Sequence, residues 1–202
     1  MIVVGLTGSI AMGKSTVSAM FAELGVPTFG ADDAVRDFYA GEGAAAIEAE
    51  FPGVTVKGQV DRERLGSKVL GDKEALKRLE GLVHPAVGEA RGRFLERAAA
   101  AGRRVVIVDV PLLFETGGEA NVDLVVVVSA PAPIQRERAL SRAGMTEAKL
   151  DAILTRQTSD AEKRRRAHFI IDTSGEHELT RAVVAQFMRS VAAMAGGRTR
   201  HA

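Results

Sequence analysis

The chain has 202 residues, 46% of them hydrophobic, enough for one domain with insertions and a sizeable core. Its 27 basic residues nearly cancel 26 acidic ones, so no overall field calls for nucleic acid or a membrane surface as partner. It has no cysteine, which excludes disulfides, thiol catalysis and cysteine zinc sites and suits a reducing compartment. No apolar run reaches the roughly 18 residues of a membrane span, and the N-terminus enters a strand without a basic leader, so a cytoplasmic protein is expected.

The first element is the apolar run "IVVGL" over residues 2–6, which reads as a buried strand. Val17, Met20, Phe21 and Leu24 then recur at i, i+3, i+4 and i+7, the spacing of a helix with one apolar face. "PTF" at 27–29 reads as a short second strand. From 32 to 101 the strand signal almost vanishes, apart from a weak "VTV" near Val54. Helices are expected over 63–70 and 74–83, and another is expected to start at Pro85, because proline fits the first helical position; Gly102 marks its end.

"VVIVDV" at 105–110, "LVVVV" at 124–128 and "FIIDT" at 169–173 are the remaining strands. None alternates apolar with polar residues, so both faces of the sheet should be covered, as in parallel sheets. Between the last two lies a helical, strongly basic stretch, 135–166, with Arg136, Arg138, Arg142, Arg156 and the run 163–166. Gly144 breaks it, and Thr146 is placed to cap a helix over 147–156. The final helix carries Leu179, Val183, Phe187 and Val191 on one face, with Ser174 as its N-cap and Glu176 and Glu178 in its first turn. The tail, 196–202, is expected to be disordered.

"GSIAMGKST", residues 8–16, stands between the first strand and the first helix and fits G-x-x-x-x-G-K-[ST]. In such a loop the N–H groups from Gly8, Ser9, Ile10, Ala11, Met12 and Gly13 through to Thr16 turn inward on anionic oxygens. Gly8 and Gly13 permit backbone approach that a Cβ blocks. The positive end of the following helix adds to the cradle. Lys14 can bridge the β- and γ-phosphates of ATP, and the Ser15 hydroxyl can ligate Mg²⁺. The fold expected is therefore α/β, a parallel doubly wound sheet of the P-loop NTPase type, with a helical acceptor-binding insertion and a helical lid.

A GTPase switch needs a guanine-reading Asn-Lys-x-Asp segment, which the chain lacks. A small kinase needs an acceptor pocket and a basic lid, and the two interruptions supply candidates for both. In "FGADDAVRDF", Asp32 or Asp33 follows the second strand, and a carboxylate there can orient an attacking hydroxyl and accept its proton. Spacing alone leaves open which of the two does so. Asp109 ends an apolar strand in the Walker-B manner and can bind Mg²⁺ or substrate. Arg138 and Arg142, four apart, fall on one helical face and suit a lid that neutralises the transferring phosphoryl; Arg164, Arg165 and Arg166 read as a solvated face. His84 is a lone histidine without metal-ligand spacing around it.

Taken together, these strings resemble the dephospho-coenzyme A kinase family. "GLTGSIAMGKST" resembles its opening, "GADDAVR" its Asp-Ala-Asp-x-x-x-Arg segment, "LEGLVHP" its Leu-Glu-x-x-x-His-Pro, and "DVPLLFE" one of its most specific strings. "QRERALSRAGMTEAKLDAILTRQ" is similar to its lid, with Gln135, Arg138, Arg142 and Gln157 in register. The resemblance runs from residue 2 to about 190. It implies transfer of the ATP γ-phosphoryl to the 3′-hydroxyl of dephospho-CoA. Asp32 is then the base, and Lys14 and Arg142 complete the catalytic set. Arg138 joins the nucleotide site, and Thr7, Arg36, His84 and Asp109 are placed near the acceptor.

Two departures stand out. Ala11 and Met12 fill variable positions of the loop, so the cradle is expected to survive. The family's Ala-Asp-x-x-Ile-x-Asn appears as Ala167 to Thr173 with His168 and Thr173 in place of the polar pair, so adenine contacts there are expected to differ. The whole chain is expected to be one kinase domain, with its core at about 1–31, 102–134 and 167–195. The acceptor block is expected at about 32–101 and the lid at about 135–166. ATP and dephospho-CoA are the expected small-molecule substrates, with no nucleic acid or membrane partner. The oligomeric state is open, with a monomer as the working expectation.

Overall fold

The computed structural model describes residues 1–197. Its elements run β1 (Ile2–Thr7), α1 (Lys14–Glu23), β2 (Thr28–Gly30), α2 (Ala31–Ala40), α3 (Gly43–Glu50), β3 (Thr55–Val56), β4 (Gln59–Val60), α4 (Arg62–Val69), α5 (Lys73–Ala100), β5 (Val105–Asp109), β6 (Leu124–Ser129), α6 (Ala132–Leu140), α7 (Glu147–Arg156), α8 (Asp160–Arg166), β7 (Phe169–Asp172) and α9 (His177–Gly197). A short 3₁₀ turn, Gly118–Asn121, precedes β6.

The chain divides into two compact units. The first comprises Met1–Phe29 and the chain from Ala98 onward. It is built on a five-stranded sheet in the order β2-β5-β1-β6-β7. β1 pairs in parallel with β5 on one side and β6 on the other, and β6 pairs in parallel with β7. The continuous apolar runs follow from burial on both faces. Val126 and Val128 of β6 pack with Val17 and Phe21 of α1 and Val184 and Phe187 of α9, while Val125 and Val127 pack with Leu113 and Phe114. This order reverses direction at β1, and ligands of open α/β sheets bind beyond the carboxyl ends of strands at such a switch point.

Two helices differ from expectation at their ends. α1 stops at Glu23, so Leu24 caps it and is 49% exposed while Val17, Met20 and Phe21 are buried. α9 begins at His177, three residues after Ser174, whose N–H instead donates to Asp172 Oδ1 at 2.7 Å. Its buried face is Thr180, Val184, Phe187 and Val191, and Leu179 is 64% exposed. Steps of four residues overshoot a 3.6-residue turn by about 40° each, so Leu179 drifts off the face that Phe187 and Val191 share. The helix continues through Gly197, past the expected start of the tail at 196; residues 198–202 lie outside the described residues.

The second unit is Gly30–Arg97, with its own core of Ile47, Phe51, Val54, Leu65, Val69, Leu79 and Val83. β3 and β4 form a small antiparallel hairpin where only "VTV" hinted at a strand. Its turn places Lys57 at φ 52° and Gly58 at φ 79°. Asp61 caps α4 by accepting from the N–H groups of Glu63 and Arg64 at 3.0 and 3.1 Å. Asp72 does the same for α5 at Glu74 and Ala75. The two helices expected on either side of residue 84 are one, because α5 runs unbroken with Pro85 inside it. The proline removes one hydrogen bond and costs about 3 kcal/mol in a helix interior. Burial of Leu79 and Val83, with Leu82 and Val87 packed beside them, holds the same face on both sides of the proline.

Candidate active site

The phosphate loop is built where β1 hands over to α1. A Cβ on Gly8 would sit 2.7 Å from the Val128 carbonyl oxygen, so only glycine lets the loop pass that close to β6. Gly13 is the N-cap of α1 at φ 85°, a left-handed turn that delivers Lys14 to the first turn of the helix. The variable positions are more constrained than the pattern suggests. Ala11 stands at φ 62°, a conformation that costs an L-residue about 1–2 kcal/mol. Met12 is buried, and its Sδ accepts the Ala130 N–H at 3.1 Å.

At the end of β5, Asp109 is in register with Leu6 of β1 and meets Lys14: Nζ lies 2.5 Å from Oδ1. Thr7, also expected at the acceptor side, is fully buried and donates to the Pro111 carbonyl at 3.0 Å. Both strand ends thus converge on the loop, with a cation and an anion paired at its mouth.

Beside the loop lies a cavity of about 230 Å³ lined by Gly13, Thr16, Arg138, Arg142, Thr173 and His177, among others. Arg138 donates to Thr173 Oγ1 at 3.2 Å and to its carbonyl at 2.7 Å. The Thr173 hydroxyl donates to the Met12 carbonyl at 2.8 Å. Threonine at this position therefore ties the loop to Arg138. α6 ends at Leu140, so Arg142 follows the helix rather than sharing its face with Arg138, yet both arginines line the cavity. His177 and Thr180 were not singled out from sequence; only their place at the start of α9 brings them here.

The basic segment grips the tip of the loop from two sides. Gln135 of α6 donates from Nε2 to the Ile10 carbonyl at 2.8 Å, and Gln157 accepts the Ile10 N–H at 3.1 Å. Ala139 and Leu150 are buried against Ala11, with Ile10, Leu140 and Leu154 around them.

Asp32, Arg36 and His84 belong to the second unit. Asp33 pairs with Arg36 at 2.8 Å on an exposed surface. Asp32, in the first turn of α2, makes no hydrogen bond or ion pair among the described residues and lines a cavity of about 380 Å³. His84 is exposed on α5.

The family model for dephospho-CoA kinase matches residues 2–178. The chain belongs to the dephospho-CoA kinase family. It is 54% identical over 192 residues to a dephospho-CoA kinase of Bradyrhizobium diazoefficiens, covering 95% of this chain and 96% of that one. The crystal structure of TT1252 from Thermus thermophilus superposes with a TM-score of 0.80 at 32% identity, covering 93% and 97% of the two chains. A dephospho-CoA kinase from Campylobacter jejuni gives 0.64 at 26% identity, over 94% and 96%.

In this member of the dephospho-CoA kinase family, Arg164, Arg165 and Arg166 are exposed, as their composition suggests, and the lysine before them is not. Lys163 is fully buried, with Nζ 3.0 Å from Glu115 Oε1 in the "PLLFE" string. Arg164 donates to Ser129 Oγ at 3.0 Å, and Arg166 pairs with Glu119 and lies 4.3 Å over the Phe114 ring. Arg165, exposed like the arginines on either side of it, pairs with Glu162 one turn earlier. Glu115 also accepts the Thr158 N–H at 2.7 Å. Burial pushes its carboxyl up, but the Lys163 ammonium and two backbone N–H groups outweigh burial and hold it below the usual glutamate range. Asp172, at the end of β7, is likewise held low by Ser174, with the charges of Arg164 and Arg138 adding to the effect. The altered His168 keeps a structural task, its Nδ1 accepting the Val125 N–H at 3.0 Å.

Proposed function

We propose that the chain transfers the γ-phosphoryl group of ATP to the ribose 3′-hydroxyl of dephospho-CoA, giving coenzyme A. The observation that carries this is the intact phosphate loop on β1–α1 with Lys14 at its mouth and Arg138 and Arg142 around the adjoining cavity, in a chain whose family membership extends over nearly its whole length.

The loop amides hold the β-phosphate, and the N-terminus of α1 favours the same charge. On nucleotide entry Lys14 exchanges Asp109 for phosphate oxygens. Arg138 and Arg142 carry charge that develops on the transferring group. The Asp32 carboxylate accepts a hydrogen bond from the acceptor hydroxyl, aims its lone pair at the γ-phosphorus, and takes the proton late, as the weak basicity of an aspartate in a loose transition state requires. Arg36 and His84 act on the acceptor, and Thr7 supports the strand end that faces it. Closure of the basic segment excludes water as a competing acceptor.

Ser15 and Asp109 fit Mg²⁺: both offer hard oxygen donors, and this ion takes only one or two protein oxygens when phosphates supply others. Bound with the nucleotide, it neutralises charge on the β- and γ-phosphates. The reading places the enzyme in the cytoplasm, acting as a monomer.

The test is incubation with ATP, Mg²⁺ and dephospho-CoA, with mass detection of the product. A product heavier by one phosphoryl group, with ADP formed in equal amount, is expected. Turnover of shikimate or a nucleoside in preference to dephospho-CoA overturns the acceptor.

A further inference from the structure

We infer that Glu115 is a positioning residue for the nucleotide. By accepting the Thr158 N–H it fixes the peptide group that follows Gln157, and Gln157 in turn holds Ile10 at the tip of the phosphate loop. Only the loop's grip on ATP is involved, so the identity of the acceptor does not enter.

Glu115 stands on a rigid base. Leu113 and Phe114 before it are buried. Its turn is closed by the Thr116 N–H on the Leu112 carbonyl at 3.1 Å and the Gly118 N–H on the Leu113 carbonyl at 2.7 Å. The turn follows β5, whose last residue, Asp109, pairs with Lys14. A single oxygen of Glu115, Oε1, takes the Thr158 N–H at 2.7 Å and faces the Lys163 ammonium at 3.0 Å. The other, Oε2, is buried without a hydrogen-bond partner among the described residues. Stability gives no reason for this arrangement, because apolar side chains of similar volume often replace a buried ion pair at no cost. What no apolar side chain can do is accept the Thr158 N–H. Lys163 keeps that acceptor charged, and a charged acceptor makes the stronger bond.

The path from Glu115 to the loop is short. Residues 157–159 link α7 to α8, and Gln157 is extended there at φ −95° and ψ 145°. At one end of the link the Gln157 N–H donates to the Leu154 carbonyl at 3.2 Å. At the other, Ser159 caps α8 by accepting the Glu162 N–H at 3.2 Å. The peptide group between Gln157 and Thr158 belongs to neither helix, and Glu115 is what holds its N–H. The tilt of that group sets the Gln157 Cα, and so the reach of its side chain to the Ile10 N–H at 3.1 Å. A shift of about 0.5 Å takes this contact out of hydrogen-bond range. Ala11, next in the chain, stands at φ 62°, so a loop released at Ile10 has strain to relieve.

The experiment compares two full-length double variants that both remove the ion pair. Glu115→Gln with Lys163→Met keeps an acceptor oxygen for the Thr158 N–H, and Glu115→Leu with Lys163→Met does not. Calorimetric affinity for a non-hydrolysable ATP analogue with Mg²⁺ is expected to stay within about threefold of the parent in the first and to fall about tenfold in the second. Adding Gln157→Met to the second is expected to cost less than about a further twofold, because both changes act on one contact. Equal affinity in the two double variants, or a further loss of about tenfold on adding Gln157→Met, overturns the inference and leaves the pair a structural one. A measurement on the parent needs no substitution. Without nucleotide, amide exchange read by NMR should find Thr158 and Ile10 protected to within about threefold of each other, as members of one opening unit. Ile10 exchanging as an open amide while Thr158 is protected also overturns the inference.

Discussion

Gln157 accepts the Ile10 N–H at 3.1 Å while Gln135 donates to the carbonyl of the same residue at 2.8 Å. One residue at the tip of the phosphate loop is thus held at both of its peptide groups by side chains from beyond α7 and from α6. The loop's shape depends on the basic segment before any nucleotide arrives. Gln157→Met keeps the side-chain length but leaves the Ile10 N–H without a partner, a loss of about 1–3 kcal/mol. The kcat/KM for ATP should fall about tenfold, and Gln135→Met should act on the same loop less than additively. Additive effects in the double variant, measured by steady-state kinetics, would separate the two glutamines.

Asp32→Asn removes the acceptor proposed for the hydroxyl proton and leaves the lining of the cavity beside the phosphate loop unchanged. The catalytic rate should drop by about 10²–10⁴-fold, with ATP affinity by calorimetry unchanged. Turnover near the parent's would take Asp32 out of the role proposed for it.

Ala11 offers a test of backbone strain. Glycine there relieves about 1–2 kcal/mol of left-handed strain, but it adds about 0.5–1 kcal/mol of unfolded-state entropy and loses a buried methyl. Ala11→Gly should therefore lie within about 1 kcal/mol of the parent in denaturant unfolding. A β-branched residue is a genuine outlier at this φ, so Ala11→Val should cost more than about 2 kcal/mol and weaken ATP binding.

Glu115 gives the pH dependence its sign. Its carboxyl is held below the usual glutamate range, so its contribution to stability is complete above the ordinary value of about 4.3 and is lost as pH falls through the lower folded-state value. Acid unfolding should be shallower in Glu115→Gln. At neutral pH that variant strands the buried Lys163 ammonium and should cost about 3–5 kcal/mol, whereas the paired replacement Glu115→Leu with Lys163→Met should recover most of the loss. Thermal melts of the parent and the two variants at pH 7 and pH 4 check both statements.

The parallel sheet was legible because strands buried on both faces leave unbroken apolar runs; β1, β5, β6 and β7 all lie within a residue or so of those runs. The phosphate loop was legible because its chemistry is local. The β3–β4 hairpin was not: two-residue strands carry no period, and Lys57, where a left-handed turn usually shows asparagine, hid the turn. Pro85 misled because its local rule was overridden by the apolar face running past it. The contacts of Gln135, Gln157, Lys163 and Glu115 span roughly 40 to 150 positions in sequence, a range no periodicity reports.

Lys163 has a practical consequence. An amine with no solvent exposure cannot react with an acylating reagent until α8 lifts from its seat. The rate at which that single side chain becomes modified, read by mass spectrometry with and without nucleotide, is then a native clock for opening of this part of the molecule, with no dye or engineered cysteine required.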